Sequence, residues 1–171
     1  GLVLGLQKEP AGTAPGPGAA AAPLATGQTP VGAPVRTASR LGPAPRPGVV
    51  QVFKSPTCGC CNEWVKHLEA NGYRVEVQDR ADMAAVKREL GLPGEMASCH
   101  TARIDGYVIE GHVPADDIDQ LLAERPEVKG LAVPGMPVGS PGMEVEGQPA
   151  DPYDVIAFDD AGRTSVYSSY R

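Results

Sequence analysis

The sequence predicts an α/β fold, in which helices flank a mixed β-sheet and a β-hairpin follows at the C-terminus. Three patterns lead to this prediction. An apolar β-branched run, an amphipathic run and an alternating run follow one another, as in a β-α-β unit. Two more helical segments flank a pair of strand-like runs joined by Asp-Gly. Strand-like alternation returns near the C-terminus.

The β-α-β unit begins with residues 48–53, which we expect to form a buried strand. The amphipathic run predicts a helix from about Cys61 to Ala70. Asn71-Gly72 favours the end of that helix, because both residue types tolerate the left-handed C-cap conformation. Residues 73–77 then predict a second strand, parallel to the first through a right-handed crossover. The apolar face of the helix is predicted to contain Trp64, Val65 and Leu68.

The middle of the chain predicts a second helix and a hairpin. Asp82 is expected to cap the helix, and a Gly-Leu-Pro-Gly run ends it. The hairpin joins residues 102–104 to residues 107–109.

A third helix is predicted between Pro114 and Pro126, since proline is favoured at a helix start and cannot continue one. Residues 131–149 are rich in Gly and Pro and predict a loop, whereas 153–158 and 164–167 predict the final hairpin. The resulting order β-α-β-α-β-β-α is that of a thioredoxin-like domain with a C-terminal extension.

The chain divides by composition into a leader and a domain. Residues 8–47 are mostly Ala, Pro, Gly and Thr with isolated Arg, so residues 1–47 are predicted to form a flexible leader or tether and residues 48–171 the domain. Residues 1–6 favour the tail of a signal peptide or an anchor, so we expect membrane contact at most through the N-terminus. The net charge of −6 offers no electrostatic reason to expect a nucleic-acid partner.

Four cysteines carry the chemistry, and three of them, Cys58, Cys60 and Cys61, lie between the first strand and the first helix. Backbone N–H groups and the helix dipole stabilise a thiolate at such a position. Neighbouring cysteines close almost no loop, so a stabilising disulfide lattice is excluded. In this topology Cys99 is expected beside the other three. The pattern indicates metal or redox chemistry.

Two kinds of chemistry remain open for these thiols. Cys58 and Cys61 have the C-x-x-C spacing of a redox dithiol, with Cys58 as nucleophile and Cys61 as resolving thiol. The third thiol of the turn and the lack of a cis-proline beside Cys99 count against an ordinary disulfide reductase. Four thiolates select Cu(I), Zn(II) or an iron–sulfur cluster instead. Zinc is the weaker choice, because its usual pattern has two separated C-x-x-C knuckles.

Histidines and methionines supply secondary candidates for the metal site. His100 is either a direct ligand or an outer-shell or surface residue, and His112 is either a ligand or part of a strand-to-helix turn. Met136 and Met143 lie on Gly/Pro loops, where a thioether is free to approach copper. His67 is expected to be solvated on the polar side of the first helix.

Four motifs together resemble one known family. They are Lys-Ser-Pro-Thr-Cys-Gly-Cys-Cys at 54–61, Ser-Cys-His-Thr at 98–101, Tyr-Val-Ile-Glu-Gly-His-Val-Pro at 107–114, and Gly-Leu-Ala-Val-Pro-Gly-Met-Pro at 130–137. The chain is similar, from about Val49 onward, to the periplasmic copper-resistance proteins called CopG.

The resemblance implies a thioredoxin-like fold, export to the periplasm of a Gram-negative bacterium, and a copper site at Cys58, Cys60, Cys61 and Cys99. It further implies that several Cu(I) ions bind as a thiolate-bridged cluster, with periplasmic copper-handling proteins as partners. Interconversion of copper oxidation states, a copper oxidoreductase activity, is left open. The leading hypothesis is therefore a copper-resistance protein. The alternatives are a thiol–disulfide oxidoreductase and an interaction domain built on a structural zinc ion with four cysteine ligands.

Overall fold

A computed structural model of the protein describes residues 48–171, so the predicted leader lies outside the described residues. A single 3-10 turn, Gly94–Met96, precedes the third strand of this region. No helix within residues 48–171 has the length and apolar character needed to cross a membrane. The other elements are, in chain order, β1 (Val49–Lys54), α1 (Gly59–Ala70), β2 (Arg74–Asp79), α2 (Met83–Glu89), β3 (His100–Ile104), β4 (Tyr107–Glu110), α3 (Ala115–Glu124), β5 (Gly130–Ala132), β6 (Tyr153–Phe158) and β7 (Thr164–Tyr170).

The strands form one mixed sheet in the order β2-β1-β3-β4-β5-β6-β7. Strand β1 is parallel to β2 and β4 is parallel to β5, whereas the other neighbours are antiparallel. The predicted α/β class, the parallel β-α-β unit and the C-terminal hairpin are confirmed.

Strand β5 was not predicted, because its residues fall at the start of the expected loop. Gly130 explains why the chain pairs there. A Cβ at Gly130 would lie 1.8 Å from the carbonyl oxygen of Val108, so only glycine admits this approach to β4. Because β5 pairs with both β4 and β6, the C-terminal hairpin continues the main sheet.

Helix α1 starts at Gly59, two residues before the expected Cys61. Cys58 is therefore the N-cap residue, and Cys60 and Cys61 belong to the first helical turn. The Asp82 cap on α2 is confirmed, since its carboxylate accepts a hydrogen bond from the Ala85 N–H at 2.9 Å. Early initiation of α1 places the sulfurs of Cys60 and Cys61 in the turn whose N–H groups have no partner within the helix.

The core lies between the sheet and helices α1 and α3. Trp64, Val65 and Leu68 are buried as predicted, and they belong to the same apolar cluster as Ile118 and Leu121 of α3. This packing holds the N-terminus of α1 at the end of β1, where the cysteines are found.

Candidate metal centre

The cysteine turn connects the buried strand β1 to α1. The Cys58 N–H donates to the carbonyl oxygen of Ser55 at 3.1 Å, which closes the turn. Cys58 and Cys61 are joined as a disulfide, with their Cα atoms 5.5 Å apart. Cys60 and Cys99, the other two cysteines, are thiols. Cys61 is completely buried, whereas Cys58 is partly exposed.

Cys99 reaches this turn through the pairing of β1 with β3. Lys54, at the end of β1, is opposite His100, at the start of β3. The sulfur of Cys60 consequently lies 3.5 Å from that of Cys58 and 3.9 Å from that of Cys99. All four sulfurs lie within 4.8 Å of one another. The structure thus brings together the four cysteines that we predicted as ligands.

Two histidines lie next to Cys99 and form a second donor group with it. His112 Nε2 is 3.1 Å from Cys99 Sγ, and His100 Nδ1 is 3.2 Å from the same atom. His112 Nδ1 donates to the carbonyl oxygen of Pro141 at 2.7 Å, which leaves the Nε2 lone pair directed at Cys99. The arrangement suits His112 to bind a metal shared with that thiol.

His100 is completely buried, so the surface role considered for it is wrong. Its ring lies 4.4 Å from that of Trp64 and 5.0 Å from that of His112. Within residues 48–171 its Nε2 finds no hydrogen-bond partner. Burial, followed by the nearby His112, lowers the pKa of His100 well below its ordinary value, and burial also lowers the pKa of His112. Both imidazoles stay neutral near pH 7, which is the metal-binding form.

The Cys99 thiol is partly buried beside Cys60. Burial, and then the neighbouring Cys60, raise its pKa to about 12. Cys99 therefore holds its proton at neutral pH, and a cation that binds there must displace it.

The two candidate methionines occupy different surroundings. Met143 is partly buried in a loop that packs on α1, since a Cβ at Gly142 would lie 2.6 Å from the backbone nitrogen of Trp64. The Met136 side chain is 52% exposed and lines a groove that includes Tyr153. Its neighbour Gly135 accepts a hydrogen bond from Ser98 Oγ, so the Met136 backbone is near the Cys99 loop.

Helix α1 is tied to the His112 segment by two hydrogen bonds that the sequence did not reveal. Trp64 Nε1 donates to the carbonyl oxygen of Val113 at 2.9 Å. His67 Nε2 accepts from the Ala115 N–H at 3.1 Å, at the start of α3. His67 is partly buried, and the expectation that it is solvated was wrong because α3 covers it.

A buried ion pair also lies beside the site and was missed. Glu110 is completely buried and pairs with Lys87 of α2. Burial raises the pKa of Glu110, and the Lys87 ammonium opposes that effect. A carboxylate at the end of the apolar run Tyr107–Ile109 was the feature that could have revealed it.

Comparison with known proteins adds a family and two structures. The family described as "Protein of unknown function, DUF411" matches residues 96–143. The solved structure "Copper resistance protein copG- Form 2" is 52% identical, with a TM-score of 0.70, and the alignment covers 74% of this chain and 100% of that one. "Copper resistance protein copG- Form 1" is also 52% identical, with a TM-score of 0.69, covering 73% and 98%. Among curated proteins no significant match was found.

Proposed function

Because this chain belongs to the CopG family of copper resistance proteins, we propose that it is a copper-resistance protein that holds Cu(I) in a cysteine-thiolate site. The observation that carries the proposal is the approach of four sulfurs to within 4.8 Å of one another. Thiolates are soft ligands that select Cu(I), and one sulfur can bridge two ions. The ligands we assign are Cys58, Cys60, Cys61 and Cys99, and we expect a multinuclear cluster.

Histidine and methionine complete the proposed site. We assign His112 as a ligand because its Nε2 already faces Cys99. We assign His100 as a second nitrogen ligand, because its Nδ1 lies near the same sulfur. Met143, on the loop against α1, is the better placed thioether. Met136 contributes only if its exposed side chain turns toward the Cys99 loop.

The Cys58–Cys61 pair supports a role in changing the oxidation state of copper. Two thiolates that form this disulfide release two electrons, which reduce two Cu(II) ions to two Cu(I) ions. An external reductant must then restore the dithiol. We propose this copper oxidoreductase activity as an extension of binding.

We place the protein in the periplasm of a Gram-negative bacterium, with copper-handling proteins of that compartment as partners. The disulfide is compatible with such an oxidising compartment.

The test is an anaerobic titration of the fully reduced protein with Cu(I) against a chromophoric chelator, with a parallel titration with Zn(II). More than one Cu(I) per chain is expected, and fewer in Cys99→Ser and Cys58→Ser. Met143→Leu removes the proposed thioether ligand. Its control is Met83→Leu, which removes a thioether on α2 and should leave the copper count unchanged. Binding of a single Zn(II) and no Cu(I) would instead support the structural zinc domain with four cysteine ligands.

A second function, thiol–disulfide exchange, is favoured by one observation: Cys58 is partly exposed, whereas its disulfide partner Cys61 is completely buried. An incoming thiolate would attack Cys58, and Cys61 would leave. Reduction of a model disulfide by metal-free protein, retained in Cys60→Ser and Cys99→Ser and lost in Cys58→Ser, would establish this activity in place of copper handling.

A further inference from the structure

The completely buried carboxylate of Glu110 contacts the chain on both sides of Cys99. One oxygen accepts from the Ser98 N–H at 2.6 Å and also pairs with Lys87 Nζ. The other oxygen accepts from Thr101 Oγ1 at 2.6 Å. Lys87 Nζ also donates to Thr101 Oγ1 at 2.9 Å, so Glu110, Lys87 and Thr101 form a closed ring of hydrogen bonds to which the Ser98 N–H is attached.

The residue after Glu110 extends this hold on the same segment. The Gly111 N–H donates to the carbonyl oxygen of His100 at 3.0 Å. Gly111 has a φ of +68°, and a Cβ there would lie 2.6 Å from Ser98 Oγ. Glu110 and Gly111 together therefore hold the backbone of Ser98 and His100 and the Thr101 hydroxyl, on both sides of Cys99.

Stability alone does not explain a buried carboxylate at this point. A buried ion pair repays its desolvation poorly, and an apolar pair of similar volume usually stabilises a fold as well or better. What an apolar pair lacks is an acceptor for the Ser98 N–H, and without that hydrogen bond the chain before Cys99 is free to shift. Metal sites are sensitive to such outer contacts, whose loss typically costs about 10- to 100-fold in metal affinity.

We propose that Glu110 is a positioning residue, which fixes the backbone on both sides of Cys99 so that its sulfur meets Cys60 and His112, and that Lys87 holds the Glu110 carboxylate in place. The inference rests on the proposed copper site. It assigns a function to Glu110, which is not one of the proposed copper ligands.

The test compares Glu110→Leu, which removes the acceptor for the Ser98 N–H, with Asp117→Leu. Asp117 is also a buried carboxylate, 4% exposed, but it lies on α3 and accepts a hydrogen bond from Tyr170. In Glu110→Leu we expect Cu(I) affinity to fall about 10- to 100-fold, while Asp117→Leu stays within about 2-fold of the parent protein. In the reduced, metal-free proteins, alkylation of Cys99 relative to Cys60 should quicken several-fold in Glu110→Leu alone.

If Glu110 had a merely structural role, the two variants would lose similar stability, and their Cu(I) affinities and Cys99 alkylation rates would be the same. That result would overturn the proposal. If Glu110→Leu does not fold, Lys87→Gln replaces it, because Lys87 is partly exposed and the same direction of change is expected. Failure of the parent protein to bind Cu(I) would remove the proposed function, whereas the alkylation rates would still decide whether Glu110 positions Cys99.

Discussion

The sulfur of Cys99 lies 3.9 Å from that of Cys60, although 39 residues separate them. One sulfur comes from the loop before β3 and the other from the first turn of α1. The pairing of β1 with β3 brings these two segments together. The four-sulfur group is therefore a product of folding, and its capacity for metal depends on how many of its sulfurs are thiols.

The first prediction concerns the Cys58–Cys61 disulfide. The oxidised protein keeps two thiols, Cys60 and Cys99, whereas the reduced protein offers all four. Because thiolates are the principal Cu(I) ligands, we expect reduction to raise the number of Cu(I) ions bound by about twofold. Anaerobic equilibrium dialysis of both forms measures this.

The control for that measurement is the double variant Cys58→Ser/Cys61→Ser, which cannot form the disulfide. Its copper count should be low and should not respond to reductant. Equal Cu(I) counts in the oxidised and reduced parent protein would contradict the prediction.

Much of the fold could be predicted from sequence, because its causes are local. The Asp82 cap, the apolar face of α1 and the Asp-Gly hairpin each depend on residues within a few positions of one another. The approach of Cys99 followed from the expected strand order.

Other features could not be predicted, because they depend on packing between distant segments. The acceptor role of His67 appears only when α3 docks on α1, 48 residues later. The Lys87–Glu110 pair joins α2 to β4 across 23 residues. Strand β5 has three residues, too few to show a strand period, and its pairing depends on the space left by Gly130.

The second prediction concerns Gly142, where the loop bearing Met143 touches α1. Gly142 has a φ of +84°, and a Cβ there would lie 2.6 Å from the backbone nitrogen of Trp64 and 3.1 Å from the carbonyl oxygen of Cys60. We expect Gly142→Ala to lower the free energy of unfolding by about 1–3 kcal/mol more than backbone strain alone, because the loop must move off the helix. Denaturant unfolding measures the difference.

Gly147→Ala supplies the matched control for that loop. Gly147 has a φ of +78°, but no atom lies within 4 Å of its added Cβ. It carries the same conformational strain without the collision. If the two variants lose equal stability, the contact between the loop and α1 is unimportant. Since Pro141 orients His112, we also expect weaker Cu(I) binding in Gly142→Ala only.

The third prediction is a pH dependence that arises from His67. Burial lowers its pKa below 6.5, although Glu144 and Asp116 partly oppose the effect. As the pH falls below 6.5, the unfolded chain takes up a proton at this residue before the folded protein does. Stability must then fall on acidification, until the pH passes below the folded pKa.

His67→Gln tests this prediction, because an amide oxygen can still accept from the Ala115 N–H but does not titrate. Urea unfolding near pH 7.5 and near pH 5 should show a smaller loss of stability on acidification in the variant than in the parent protein. The buried His100 and His112 contribute equally to both proteins. Parallel pH profiles would show that His67 is not responsible.

The fourth prediction concerns Trp64, whose Nε1 donates to Val113 and whose ring lies against His100. Trp64→Phe keeps an aromatic ring but leaves the buried Val113 carbonyl without its donor. An unsatisfied buried acceptor costs about 1–3 kcal/mol, and the smaller ring adds the cost of a cavity. Urea unfolding followed by circular dichroism measures this loss, since the variant lacks the chain's one tryptophan.

Tyr107→Phe is the comparison that separates this effect from the loss of any side-chain hydrogen bond. Its hydroxyl donates to Pro126 at 3.0 Å, on the far side of the hairpin from the cysteines. Because Val113 directly follows His112, release of its carbonyl in Trp64→Phe should also loosen that imidazole. We therefore expect Cu(I) affinity to fall in Trp64→Phe and to remain unchanged in Tyr107→Phe, even if the two variants unfold at similar urea concentrations. Unchanged affinity in Trp64→Phe would mean that Trp64 supports the core and not the site.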